Sequence, residues 1–174
     1  MSEQYRVHRP RTELYRALRI AGVVGALAGV LWFLVAPGGA LHGQGTDSNT
    51  WFARDAALGI LLCAAGVGTA VQAMLARRKT LRAAPERHAG VFPVILGLAA
   101  LLGSIVAWRI GVFAGDLFQR PPATLANPSI VFSLRSGAVL LLWPLPSLLV
   151  VFLWSMISYS FDTSPTPEVD STLS

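Results

Sequence analysis

The chain has 174 residues, the size of one domain. Apolar residues make up 53% and charged residues only 13%, against about 25% charged in an ordinary soluble domain, which excludes a soluble globule coated with charge and points to lipid as the solvent. The net charge of +5 does not indicate nucleic acid, because the basic residues border apolar runs as membrane topology requires and no aromatic-interleaved basic platform is present.

A membrane helix needs about 20 mostly apolar residues, and the sequence predicts four. The first covers 17–35 and stops at Pro37, Gly38 and Gly39, which break helices. Gly38 and Ala40 fit a small-x-small cleavage site, but the apolar run exceeds a signal-peptide core of about 7–15 residues, so a retained span is expected. The second span covers 56–76, between Arg54-Asp55 and Arg77-Arg78-Lys79; the third covers 91–110, with apolar character reaching toward Phe118; the fourth covers 138–159. None has the polar face of a surface helix. The expected fold is all-α: an integral-membrane four-helix bundle over 17–160, with a basic arm over 1–16 and a disordered Ser/Thr/Pro-rich tail over 161–174.

Charge predicts the orientation. Arg6, Arg9, Arg11, Arg16 and Arg19 precede or open the first span, and Arg77, Arg78, Lys79, Arg82 and Arg87 follow the second. Ten of the 14 Lys/Arg therefore lie on one side, against Arg54, Arg109, Arg120 and Arg135 on the other. The positive-inside rule places both termini and the middle loop in the cytoplasm, and loops 36–55 and 111–137 outside.

Packing faces follow from residue size. Helices in lipid associate through close backbone approach at small residues. Span three carries Ala99, Gly103, Ala107, Gly111 and Gly115 at every fourth position, and span one carries Gly25 and Gly29 in a shorter row begun by Ala17 and Ala21. These rows are expected to hold the chain's own bundle together, with a homodimer seam as the alternative. Pro144 and Pro146 are expected to kink span four.

The sequence offers no catalytic, metal or cofactor constellation. No GxxxxGK[ST], HExxH, GxSxG or Rossmann glycine fingerprint is present. His8, His42 and His88 fall on opposite sides of the predicted membrane, and Cys63, the single cysteine, is expected to pack mid-span. Gln72 is read as an interhelical hydrogen-bonding residue. One polar group remains: Arg54 and Asp55 at the start of span two, Trp108 and Arg109 near the outer end of span three, and Asp116 seven residues further on. The favoured reading makes Trp108 a belt aromatic, Arg109 a snorkelling anchor and Asp55–Arg109 an ion pair that fixes two helix ends. The alternative is a shallow site for an anionic headgroup or a docking point for a protein partner.

The segments Trp51-Phe52-Ala53, Ala107-Trp108-Arg109-Ile110-Gly111 and Leu141-Leu142-Trp143-Pro144-Leu145 resemble a family of small four-span actinobacterial membrane proteins filed as a domain of unknown function. The resemblance covers about 17–160 and implies a plasma-membrane location; it brings no established activity. The resulting expectation is a non-enzymatic accessory or scaffold subunit of the cell envelope, in contact with anionic lipid headgroups and with a membrane-protein partner or its own copies. A small transporter or channel component is the alternative, weakened by the scarcity of polar residues in the spans.

Overall fold

A computed structural model describes residues 10–41, 48–81, 91–118 and 134–161. Among these, four α-helices and one 3-10 helix are present and no strand: α1 Pro10–Val35, α2 Ser48–Leu81, α3 Val91–Phe118, the 3-10 helix Gly137–Leu142, and α4 Pro144–Phe161. Four segments are long and apolar enough to cross a membrane: Leu14–Val35, Trp51–Arg77, Val91–Phe118 and Gly137–Ser160. The distal arginines Arg6, Arg9, Arg82, Arg87 and Arg120, all three histidines and the tail after Phe161 lie outside the described residues.

The helices overrun the apolar spans. α1 begins at Pro10, so Arg11 and Arg16 belong to the helix rather than to a separate arm. Proline suits a first helical position, where an N–H would have no partner. α2 runs from Ser48 to Leu81, well beyond 56–76. Hydropathy marks what lipid can cover; helix ends are decided by backbone hydrogen bonding.

α1 lies mainly against α3 and α4 against α2, with α1–α2 and α3–α4 closing the ring; α2 and α3, though consecutive, barely meet. The α1–α3 pair runs parallel, because Gly25 lies beside Gly103, Gly29 beside Ala107 and Trp32 beside Gly111. A Cβ on Gly25 would collide with the Gly103 carbonyl, and one on Gly29 with the Ala107 carbonyl. Ala99, Gly103, Ala107, Gly111 and Gly115 form the buried face of α3 together with Leu96, Ala100 and Ser104. Backbones touch here because no side chain intervenes, which replaces the hydrophobic drive that lipid removes.

Two tryptophans fill the interior. Trp32 and Trp143 are both 0% exposed, and they join Ala28, Phe33, Leu58, Leu62, Ala100 and Ala107 in one cluster. The Trp32 ring covers Gly111, and the Trp143 ring covers Gly103. Outside, Val23, Leu27, Ile60, Leu98, Leu149 and Phe152 are exposed. A chain with small residues and two indoles within and bulky aliphatics without is turned toward an apolar solvent.

Span four differs from the expected kinked helix. The 3-10 helix ends at Leu142, Trp143 turns, and α4 restarts at Pro144. Pro144 has no N–H and would clash with the preceding turn, so a helix either kinks or stops there; here it stops and restarts. Pro146 falls in the first turn of α4, where its missing N–H costs nothing. The Trp143 carbonyl takes hydrogen bonds from the Ser147 backbone N–H at 3.2 Å and its hydroxyl at 2.9 Å.

Candidate functional site

The five predicted polar-cluster residues separate into two groups. Arg54, in the second turn of α2, is only 4% exposed. Its Nε donates to the Pro37 carbonyl at 3.1 Å, and its own carbonyl accepts the Trp32 indole N–H at 2.9 Å. The guanidinium lies against Gly38, whose φ of +80° is a left-handed conformation open to glycine, and a Cβ there would strike the guanidinium. Arg54 thus ties the turn after α1 to the start of α2.

Asp55 does not pair with Arg109. Its carboxylate accepts the Ser136 backbone N–H at 3.0 Å and the Arg135 N–H at 3.5 Å, so it caps the chain entering the 3-10 helix. N–H groups at a helix start have no partner within the helix and attract a carboxylate. The Trp51 ring has Arg135 at 4.3 Å and Arg54 at 5.8 Å from its centroid. Four residues, Trp51, Arg54, Asp55 and Arg135, therefore fasten the loop end of the bundle.

Trp108 and Arg109 stand apart from that group. Arg109 is exposed, and its guanidinium lies over the Trp108 ring, 4.7 Å from the centroid. The Trp108 indole N–H is buried and has no hydrogen-bond partner among the described residues. Asp116 is exposed one face-repeat further along α3. The helix does continue that far, so Asp116 shares a face with Arg109, but seven residues separate them by about 10 Å along the axis, too far for an ion pair.

A second polar network sits inside the bundle. The Trp143 indole donates to Thr69 Oγ1 at 3.1 Å, Thr69 Oγ1 lies 2.7 Å from the Ala65 carbonyl, and Ser147 Oγ lies 3.0 Å from the Gly66 carbonyl. Its members hydrogen-bond to one another or to backbone, as lipid burial demands. Sequence reading gave Trp143 only as part of the resemblance and assigned no hydrogen-bonding or core role to Thr69, Ser147, Trp32 or Trp143. A tryptophan within a turn of a small-residue row, as Trp32 follows Gly29, is the available signal for a buried indole. At the other end, Arg77 of α2 lies over the Phe92 ring of α3 at 4.3 Å. Among the described residues no group of three His, Cys, Asp or Glu could hold a metal ion. No protein-family model, curated protein or solved structure matches the chain.

Proposed function

We propose that the chain is a multi-pass plasma-membrane protein with both termini in the cytoplasm, acting as a non-enzymatic accessory or scaffold subunit in the cell envelope, within the small four-span actinobacterial family it resembles. The observation that carries this reading is the filled interior. Trp32, Trp143, Leu58 and Leu62 are fully buried between helices that touch through glycine and alanine. Ions and polar solutes need a lined, wet path, and a single copy packed this way is better suited to holding a shape and presenting its outer faces. Arg54 and Asp55 hold helix ends, and Thr69 and Trp143 hold the break in span four.

A transporter or channel component is the second reading, and the broken fourth span favours it, since discontinuous helices are common at transport sites. Solubilisation in mild detergent, with the mass of the particle and its co-purifying proteins measured, separates the two. A stoichiometric partner supports the scaffold. A discrete homo-oligomer without a partner supports transport. Turnover of a lipid by the pure protein would overturn the non-enzymatic reading.

A further inference from the structure

Among the described residues, the exposed positions of α1, α3 and α4 hold no glycine or alanine. α2 is different. Ile60, Ala64, Gly68 and Gln72 recur every four residues, and all four are exposed. They form one outward row within the apolar segment Trp51–Arg77. Val67 and Val71, also exposed, stand one position before Gly68 and Gln72. Gly66 and Gly68 mark the two sides of the helix. A Cβ on Gly66 would strike the Trp143 backbone, whereas one on Gly68 would meet nothing within 4 Å. The bundle therefore uses Gly66 and has no internal use for Gly68, although a glycine inside a helix is destabilising relative to alanine.

The sequence marks Gln72 as an interhelical hydrogen-bonding residue. In the structure it faces outward, and among the described residues no hydrogen bond joins its side chain to another helix of the chain. Exposed Leu75 lies between it and Arg77. Hydrocarbon offers an amide no partner, and leaving one unmet is costly. We propose that the outward face of α2 is a homodimer seam, in which two copies cross at Ala64 and Gly68 and their Gln72 amides hydrogen-bond to each other across the two-fold axis. Copies inserted by the same charge asymmetry share one orientation, so a symmetric α2–α2 contact is parallel and sets residues near the axis opposite themselves. An amide both donates and accepts, which makes Gln72 complementary to its own copy. The small residues let the two backbones close to the distance at which these side chains meet. Another protein would have to bring both a small-residue face and a matching polar group at that level, whereas a second copy carries both. The seam rests on the membrane embedding of α2 and not on the scaffold role. A dimer that holds a stoichiometric partner supports both, a dimer alone supports the seam and favours transport, and a partner-bound monomer keeps the scaffold and overturns the seam.

Disulfide trapping of the full chain in native membranes tests the seam. In a Cys63→Ala background, which removes the only native thiol, Gly68→Cys is expected to give, on oxidation, a cross-linked species of twice the chain mass. Val23→Cys on α1 and Leu149→Cys on α4, both exposed, should give none. Absence of a cross-link at Gly68, equal cross-linking at all three positions, or a product of another mass overturns the proposal. Sedimentation equilibrium in a mild, density-matched detergent is the second measurement. The wild type is expected to show a monomer–dimer equilibrium that Gln72→Leu weakens about three- to thirtyfold, the scale of a side-chain hydrogen bond between membrane helices. Gly68→Leu should abolish the dimer yet leave the monomer folded, because a side chain there enters open space; cooperative thermal unfolding of that variant checks the fold. A wild type that stays monomeric at every concentration, or a dimer unaltered by Gly68→Leu, contradicts the seam.

Discussion

Gly103→Leu is the most informative single substitution in the bundle. A Cβ at this position would sit 2.7 Å from Cη2 and 2.8 Å from Cζ3 of Trp143, and 3.0 Å from the Ala21 carbonyl. Those distances lie well inside van der Waals contact on two sides, one a rigid ring and the other backbone. Even alanine must shift Trp143 or part α1 from α3, and leucine adds three more carbons. Overpacking a filled core costs about 1–3 kcal/mol and occasionally more; with backbone on one side, the upper end is expected. For a domain of this size, about 3 kcal/mol corresponds to roughly 6–12 °C in Tm. Thermal unfolding in mild detergent, followed by tryptophan fluorescence, reads the shift directly. Leu149→Ala is the control, since Leu149 is 56% exposed on α4 and surface changes stay within about 0.5 kcal/mol. Unfolding of the two variants within 2 °C of each other, allowing about that much for error, would refute the tight α1–α3–Trp143 contact.

Three other substitutions probe the polar contacts. Arg54→Lys loses the fork that reaches Pro37 and should lower stability by about 1.5–3 kcal/mol in the same assay, whereas Arg109→Lys, at an exposed position of α3, should leave Tm unchanged. Thr69→Val orphans the Trp143 indole N–H and should cost about 1 kcal/mol, with a change in the environment of Trp143 visible in its emission; an unaltered spectrum and Tm would remove this hydrogen bond from the account. Asp55→Ala frees the backbone at Arg135 and Ser136, at a cost of about 1 kcal/mol, and should speed proteolysis near Ser136; Asp55→Asn, which keeps a carbonyl acceptor, should fall between the two.

The four apolar spans were legible because lipid imposes a length and a composition that few other structures share. The small-residue rows were legible too, since a four-residue repeat marks one helix face; Gly25, Gly29 and the α3 row from Ala99 to Gly115 lie on buried faces. What the sequence did not reveal is long-range. Nothing local says that α1 pairs with α3 in parallel while α2 and α3 stand across the bundle. The Asp55 carboxylate finds its partners 80 and 81 residues away, and charge pairing alone pointed to Arg109. Pro144 signalled an interruption, but whether a span bends or restarts depends on what the turn can rest on. Here Trp143 rests on Gly103 and Gly66. Arg109 was legible as a lone charge in an apolar stretch.

Reporter fusions along the full chain test the central claim, a four-span protein with both ends in the cytoplasm. Fusions after Ala84 and in the tail after Asp162 are expected to read cytoplasmic, and those near Gly45 and Ala126 to read external. A cytoplasmic signal at Gly45 would contradict the orientation, and with it the assignment of Arg54, Asp55 and Arg109 to the outer half of the membrane.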